Sequence, residues 1–240
     1  MDSGAAGDFD FMGGRAFGVG RRTLVNALGV LLALSLWTPD IAWAQAPSTS
    51  AQAPRRLLAF GDSLTAGYGL APEDTFPVKL QARLRADGFK VTVANGGFSG
   101  DTTAGGLARV KWVLADRPQY ALIEFGANDA LRGLDPQLAR ANLIKILDRM
   151  KADGVRALLI GMHAPANWGP DYAKAFDAIY PDLAKQYNVP LYPFFLEGVA
   201  FNPALNQPDG LHPNAGGVDV IVARIAPDVE KLLRTKPARP

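Results

Sequence analysis

Short apolar segments alternate with amphipathic segments along most of the chain, and this alternation restricts the possible folds more than any other feature. Five apolar runs of four or five residues have the length and composition of buried strands. These runs lie at residues 57–60, 91–94, 121–125, 157–160 and 190–193. Because the segments between them have helical spacing, we expect a parallel sheet that is covered by helices on both faces.

The helical segments contain apolar residues that recur every three or four positions. They are 73–87, a segment through Leu107, Val110 and Leu114 that ends before Pro118, 136–150, 172–187 and 218–233. We expect Pro227 to interrupt the last helix and residues 95–106 to form a glycine-rich loop. No internal repeat or central linker divides the pattern, so we predict one doubly wound α/β domain over residues 55–240.

Residues 1–44 have the features of a targeting segment. Three arginines precede an apolar run at 24–37, and the small-residue sequence Ala42-Trp43-Ala44 follows it. A basic segment, an apolar segment and such a site together predict a secretory signal peptide that is cleaved after Ala44. The apolar run has 14 residues, fewer than the about 20 that a membrane span needs. An uncleaved N-terminal anchor is the alternative.

We therefore expect an exported protein, either periplasmic or secreted, without a stable membrane span after cleavage. The pair Arg21-Arg22 also fits a twin-arginine signal, so the export route stays open. Residues 45–54 are small, include two prolines and lack periodicity, which predicts a flexible linker.

The composition excludes several classes of function. Lysine plus arginine number 25 against 23 aspartates and glutamates, so we see no basic surplus and expect no nucleic-acid partner. The absence of cysteine excludes disulfides, thiolate zinc sites, iron–sulfur clusters and a cysteine nucleophile. With only His163 and His212, a histidine-rich metal site is excluded as well, although a carboxylate site is not.

The loop after the first predicted strand, Gly61-Asp62-Ser63-Leu64-Thr65, contains a candidate nucleophile. In doubly wound sheets, ligands bind at the carboxyl ends of the strands. Ser63 stands just past such an end and before an expected helical turn, where its hydroxyl can project and nearby N–H groups can face an anion. The alternative is that Ser63 only caps a turn.

A candidate base lies in the last loop, Asp209-Gly210-Leu211-His212-Pro213-Asn214. A serine nucleophile needs a base, and the base needs an orienting acceptor. Asp209 can reach Nδ1 of His212 if the chain turns between them, which leaves Nε2 for a hydroxyl. A surface histidine is the alternative. His163 has no such partner in the sequence, so we interpret it as a loop or pocket-wall residue.

Two further loops contain candidate donors to an oxyanion. The glycines of residues 95–102 permit backbone N–H groups to point at a small anionic site. A flexible loop or a phosphate cradle is the alternative, but the lysine and the glycine spacing of nucleotide-binding loops are missing. In the loop Gly126-Ala127-Asn128-Asp129, the Asn128 side chain can donate to an oxyanion. Taken alone, Asn128 is typical of a turn or an N-cap.

Together, the motifs at 61–64, 99–102, 126–129 and 209–214 resemble, in their order, those of the SGNH or GDSL hydrolase family. The resemblance covers residues 56–234. The segments 131–133, 164–169 and 189–195 are similar to the branch of periplasmic thioesterase I, lysophospholipase and arylesterase. The resemblance implies a flavodoxin-like three-layer α/β/α sandwich around a parallel five-stranded sheet.

The resemblance also implies a role for each matching residue. Ser63 matches the nucleophile, His212 the base and Asp209 its orienting partner. The backbone N–H groups of Ser63 and Gly100 and the side chain of Asn128 match the oxyanion donors. The family needs no metal or organic cofactor for this chemistry.

The expected function is the hydrolysis of carboxylic esters and thioesters through an acyl-Ser63 intermediate. The expected substrates are small acyl or aryl esters and thioesters, and the resemblance favours a monomer. Ala127 stands where related chains often have glycine, which leaves the shape of the acyl pocket open. A carbohydrate O-acetylesterase is the alternative enzyme, and a noncatalytic lipid- or glycan-binding protein is the alternative outside enzymes. Apolar residues within 162–195 favour acyl or aryl groups.

Overall fold

The computed structural model describes residues 53–238, in which five parallel strands form one sheet. The strands are β1 (Arg55–Gly61), β2 (Val91–Asn95), β3 (Tyr120–Glu124), β4 (Arg156–Ile160) and β5 (Leu191–Tyr192). Their order across the sheet is β2-β1-β3-β4-β5, the order of flavodoxin-like folds. The predicted α/β architecture is thus confirmed. The predicted signal peptide, and the linker up to residue 52, lie outside the described residues.

Eight helices surround this sheet within residues 53–238. They are α1 (Ser63–Ala66), α2 (Phe76–Ala86), α3 (Thr103–Val113), α4 (Ala127–Leu131), α5 (Pro136–Ala152), α6 (Pro170–Asp177), α7 (Ile179–Tyr187) and α8 (Ala215–Arg234). Helix α2 packs against α8, whereas α3 packs against α5 and α5 against α7. Every residue of β3 is buried, as expected for a central strand with helices on both faces. None of these helices is long and apolar enough to cross a membrane.

The predicted helix over residues 172–187 is wrong as a single element, because the structure has two helices there. Helix α6 ends at Asp177 and α7 begins at Ile179. Pro181 lacks the N–H that would bond to the carbonyl of Asp177, and its ring would clash with that carbonyl in a continuous helix. The break therefore falls at Ala178, three residues before the proline. It places Asp177 at a helix end.

The predicted interruption of the last helix near Pro227 is also wrong. Helix α8 runs from Ala215 to Arg234 with Pro227 inside it. Ala226 and Val229 on either side are fully buried, so tertiary packing offsets the hydrogen bond that the proline lacks. The side chain of Asn214 caps the start of α8 by accepting the Gly217 N–H at 3.0 Å.

Candidate active site

Ser63 is the first residue of the short helix α1, directly after the turn that ends β1. The turn is formed by Asp62, whose carboxylate Oδ1 accepts the backbone N–H of Leu64 at 3.0 Å. Gly67 ends the helix with a φ of 84°, a left-handed conformation that favours glycine. The sequence thus holds Ser63 between a capped start and a glycine end, at the carboxyl edge of the sheet.

The structure places Ser63, His212 and Asp209 in one hydrogen-bonded chain. His212 Nε2 lies 2.9 Å from Ser63 Oγ, and His212 Nδ1 lies 2.7 Å from Asp209 Oδ2. Because ionised Asp209 can only accept, Nδ1 carries the proton and Nε2 is left to accept from the serine hydroxyl. This arrangement can remove a proton from Ser63 as the hydroxyl attacks a carbonyl.

The turn of the last loop keeps Asp209 ionised. Its Oδ1 accepts the backbone N–H groups of His212 at 3.0 Å and of Leu211 at 2.9 Å. Gly210, which lies between Asp209 and Leu211, has a φ of 70°, and this left-handed conformation closes the turn. The backbone hydrogen bond from His212, above all, lowers the pKa of Asp209 to about 2. The carboxylate is therefore anionic at neutral pH.

Gln207 joins the loop of the base to the segment after α1. Its Nε2 donates to the carbonyl of Tyr68 at 2.7 Å and to that of Pro213 at 2.9 Å. Its backbone N–H donates to the His212 carbonyl at 2.7 Å. The ring of Tyr68 lies 4.7 Å from the imidazole of His212. Sequence reasoning missed both residues because the contacts of Tyr68 with Gln207 and His212 join positions more than a hundred apart.

Asn128 lies in the first turn of α4, and Gly126, not Asn128, is the N-cap of that helix. Asn128 Nδ2 donates to Asp62 Oδ2 at 3.2 Å and to the Asp101 carbonyl at 3.0 Å. The amide therefore bridges the turn before Ser63 and the residue after Gly100. Its N–H groups are both engaged, so an oxyanion must share or replace one of these bonds.

Gly100 has a φ of 85°, a conformation that favours glycine. Its carbonyl accepts from the Arg132 guanidinium at 2.9 Å. Among the residues that the structure describes, the backbone N–H groups of Ser63 and Gly100 donate to no protein acceptor. These groups can therefore donate to a bound anion.

Arg109 connects the ends of β1 and β2 with the glycine-rich loop. Its guanidinium donates to Asp101 Oδ2 at 2.5 Å, to the Gly96 carbonyl at 2.6 Å and to the Gly61 carbonyl at 2.8 Å. It also lies 4.7 Å from the ring centroid of Phe60. The sequence did not indicate this role of Arg109, because all three of its hydrogen-bond acceptors lie outside the helix that contains it.

Asp129 fixes the start of α4 to the start of α3. Its buried carboxylate accepts the Thr103 N–H at 2.8 Å and the Thr103 hydroxyl at 2.7 Å. Burial raises the pKa of Asp129, while the bonds from Thr103 oppose the rise. The neighbouring Asn128 is thereby held on a rigid element.

His163 does have an acidic partner, which the sequence did not reveal. Its Nδ1 lies 2.8 Å from Asp177 Oδ2, and its ring lies 4.5 Å from that of Phe194. The side chain is 53% exposed. Within residues 53–238, no hydroxyl is hydrogen-bonded to this imidazole, and no group of three or more histidine or acidic side chains is arranged to hold a metal ion.

Four aromatic residues of the segment 162–195 form two groups that differ in burial. Phe176 and Phe195 are fully buried in the core. Trp168 is partly exposed and donates from Nε1 to the Ala130 carbonyl at 2.8 Å, and the Tyr172 hydroxyl donates to the Leu134 carbonyl at 2.8 Å. The second group therefore packs on the segment that follows Asn128.

Comparison with known proteins agrees with this geometry. The model of the GDSL-like Lipase/Acylhydrolase family matches residues 59–220. An arylesterase of Vibrio mimicus is 41% identical over 187 residues, which cover 78% of this chain and 94% of that protein. Thioesterase 1/protease 1/lysophospholipase L1 of Escherichia coli K12 is 41% identical over 184 residues, 76% of this chain and 87% of that protein.

A solved structure is similar as well. The crystal structure of AlinE4, an SGNH-hydrolase family esterase, is 48% identical and superposes with a TM-score of 0.64. The match covers 76% of this chain and 98% of that one.

Proposed function

This chain belongs to the GDSL-like lipase/acylhydrolase family of serine ester hydrolases, and we propose that it cleaves carboxylic esters and thioesters through an acyl-Ser63 intermediate. The observation that carries the proposal is the hydrogen-bonded chain from Ser63 Oγ through His212 to Asp209, with distances of 2.9 and 2.7 Å. A nucleophile, its base and an orienting carboxylate are the parts that acyl transfer needs.

In the first half of the reaction, Ser63 Oγ attacks the substrate carbonyl while His212 Nε2 takes the hydroxyl proton. The C–O or C–S bond to the leaving group then breaks, and His212 returns the proton to the departing alcohol or thiol. Asp209 stays ionised throughout and stabilises the imidazolium. In the second half, His212 Nε2 takes a proton from water while the water oxygen attacks the acyl carbonyl. The bond from the acyl group to Ser63 Oγ then breaks, Ser63 recovers its proton from His212, and the carboxylic acid leaves.

The negative charge that develops on the carbonyl oxygen needs donors that are already in place. We assign these to the N–H groups of Ser63 and Gly100 and to the Asn128 amide. One such donor is typically worth about 2.7–4 kcal/mol of transition-state stabilisation. The Asn128 amide already bonds to Asp62 and Asp101, so its position is set before substrate arrives.

The substrate is a small acyl or aryl ester or thioester in this proposal. The names of the two relatives support esters of aromatic alcohols, thioesters and lysophospholipids. Trp168 and Tyr172 supply partly exposed aromatic surface beside the segment that follows Asn128. Such surface favours an apolar acyl or aryl group over a carbohydrate.

The cellular site is part of the same proposal. The sequence of residues 1–44 supports export to the periplasm or the medium. Fractionation of cells that express the full chain, followed by N-terminal sequencing of the exported form, tests it. A protein that stays in the cytosol with residue 1 intact would overturn the proposed export.

Hydrolysis of a p-nitrophenyl ester series from acetate to palmitate tests the reaction. We expect activity, with its chain-length optimum separating acetylesterase from long-acyl specificity, and we expect Ser63→Ala to abolish it while the melting curve is retained. Ser99 is the other serine within residues 53–238 and its side chain is exposed, so Ser99→Ala is the matched control. Normal turnover by folded Ser63→Ala would overturn the proposed nucleophile.

Labelling with a serine-directed phosphonate separates an enzyme from a binding protein. We expect one phosphonate per chain, attached to Ser63 and absent from the Ser63→Ala variant. A chain that hydrolyses no ester and takes up no phosphonate would be a binding protein instead.

A further inference from the structure

A glutamate without an assigned role lies beneath the turn that bears Ser63. Glu124 ends the central strand β3 and is 1% exposed. Its Oε2 accepts the Thr65 hydroxyl at 2.8 Å and the Asp62 backbone N–H at 3.3 Å. Its Oε1 is buried without a hydrogen bond from any conventional donor among residues 53–238.

The fold makes room for this carboxyl group. Glu124 is paired with Gly61 of β1 in the register of the sheet. A Cβ at Gly61 would lie 2.3 Å from Glu124 Oε2 and 2.2 Å from the Thr65 hydroxyl. Only glycine leaves the space that the glutamate occupies, directly below Asp62 and Ser63.

Asp62 is also fully buried, and its backbone N–H donates to Glu124 Oε2 at 3.3 Å, so the two acidic residues are direct neighbours. Two neighbouring buried carboxylates repel each other, which disfavours a state in which both are ionised. A protonated Glu124 can donate a hydrogen bond to Asp62, whereas an ionised carboxylate only accepts. Such a bond would give a partner to Glu124 Oε1, which has none among residues 53–238.

The two carboxyl groups differ in what stabilises their charge. Asp62 accepts from Leu64 and Asn128 and lies near His212. Burial raises the pKa of Asp62 to about 6, and these neighbours oppose the rise. Burial raises the pKa of Glu124 well above its ordinary value, and the charge of Asp62 adds to this rise. Asp62 therefore loses its proton first.

Several other charged or titratable groups surround this pair. They come from the helices and the last loop that pack around it: Arg109 of α3, Asp129 of α4, Tyr180 of α7 and His212. Asp129 opposes a second negative charge, whereas Arg109 and protonated His212 favour one.

We propose that Glu124 is a positioning residue of the acyl-transfer site, which as a neutral acid donates its proton to Asp62 and holds that carboxylate in place. Asp62 in turn holds the Asn128 amide and the Leu64 N–H at the start of α1. A shift of Asp62 would move an oxyanion donor and the nucleophile together. The inference rests on the proposed roles of Ser63 and Asn128.

Two substitutions of Glu124 test the inference through kcat and KM on a p-nitrophenyl ester. Glu124→Gln keeps a neutral donor of the same length, and we expect kcat within about threefold of wild type, the size of one altered hydrogen bond. Glu124→Met keeps the volume without a donor, and we expect kcat to fall about 10- to 100-fold, as small misplacements do, with KM little changed.

The thermal midpoint separates positioning from structural support. Because Glu124→Met leaves the Asp62 N–H and the Thr65 hydroxyl without their acceptor, we expect it to melt below wild type. We therefore measure kcat at a temperature at which circular dichroism shows the variant fully folded, and we expect the fall in kcat to persist there. Wild-type kcat in Glu124→Met would overturn the inference. So would a Glu124→Gln variant as impaired as Glu124→Met, since Glu124 would then act as an anion.

The proton on Glu124 can be detected by infrared spectroscopy, without a measurement of activity. We expect the infrared spectrum of the full chain at pH 7 to contain a carboxylic-acid C=O band that Glu124→Gln lacks. As the pH rises, ionisation of Glu124 sets two buried anions against each other, so wild type should lose thermal stability that Glu124→Gln retains. A spectrum without this band would overturn the inference even if the proposed hydrolase activity of Ser63 holds.

Discussion

Two histidine–aspartate pairs lie in this molecule, and their local geometry is nearly the same. The imidazole of His212 lies 2.7 Å from Asp209, and that of His163 lies 2.8 Å from Asp177, in both cases through Nδ1. Each imidazole also contacts an aromatic ring, with centroids 4.5–4.7 Å apart. The two pairs differ in what surrounds them.

His212 has a serine hydroxyl 2.9 Å from Nε2 and is 20% exposed, whereas His163 is 53% exposed. The Asp209 carboxylate accepts two backbone N–H groups in a tight turn, whereas Asp177 accepts one, from Ala164 at 2.9 Å. A histidine–aspartate pair is therefore not sufficient for chemistry. The second ring nitrogen needs a nucleophile, and the nucleophile needs oxyanion donors nearby.

Among the changes that test this comparison, we expect removal of the base to lower kcat the most. We expect His212→Ala to lower kcat by a factor on the order of 10⁶, as loss of a base does in comparable serine enzymes. Steady-state kinetics on p-nitrophenyl esters measures the loss, and circular dichroism checks the fold. A loss of only a few-fold would mean that another group removes the proton.

The orienting carboxylate should come next. Asp209→Asn keeps the shape but stabilises the wrong tautomer of His212, so we expect kcat to fall by about 10⁴. Asp177→Asn is the matched change in the other pair and should leave kcat near wild type. The comparison fails if the two asparagine variants lose activity equally.

We expect loss of an oxyanion donor to cause the third-largest fall in kcat. We expect Asn128→Ala to lower kcat by about 10²- to 10³-fold while KM changes little, because the amide acts on charge that exists only in the transition state. Kinetics of the variant over a range of substrate concentrations separates the two constants. A raised KM with normal kcat would make Asn128 a substrate-binding residue only.

Loss of the second histidine should have the smallest effect. The pair of His163 and Asp177 is exposed, and surface ion pairs are typically worth about 0–1 kcal/mol. We expect His163→Ala to keep kcat/KM near that of wild type, with a slightly lower melting temperature. A large fall in kcat/KM would place His163 in contact with substrate.

Local patterns in the sequence predicted most of the fold. The strand at 121–125 and the helix at 136–150 differ from β3 and α5 by two residues or fewer at either end. Their apolar period decides both structure and burial, so a short window is sufficient. The break before Pro181 was missed although its cause is local, whereas α8 continues through Pro227 because distant residues pack on it.

The sequence predicted those residues of the candidate site that lie within the four short motifs. Ser63, Asp209, His212, Gly100 and Asn128 all lie within such motifs. The residues that support them do not. Arg109, Gln207 and Glu124 each bond to a partner far away along the chain, at separations of 48, 139 and 59 positions, and no local pattern reports a contact of that kind. The buried glutamate did leave one signal, a single charge in an otherwise apolar strand.

The separation of Ser63 and His212 has a consequence for the time at which the chain becomes active. Their hydrogen bond joins residues 149 positions apart. Ser63 lies at the start of the helix after the first strand, and His212 lies in the loop before the last helix. Closing so long a loop is a slow step that needs most of the fold around it. The chain therefore gains esterase activity only after most of it has folded. A nascent chain that ends before residue 212 lacks the base and is inert towards esters.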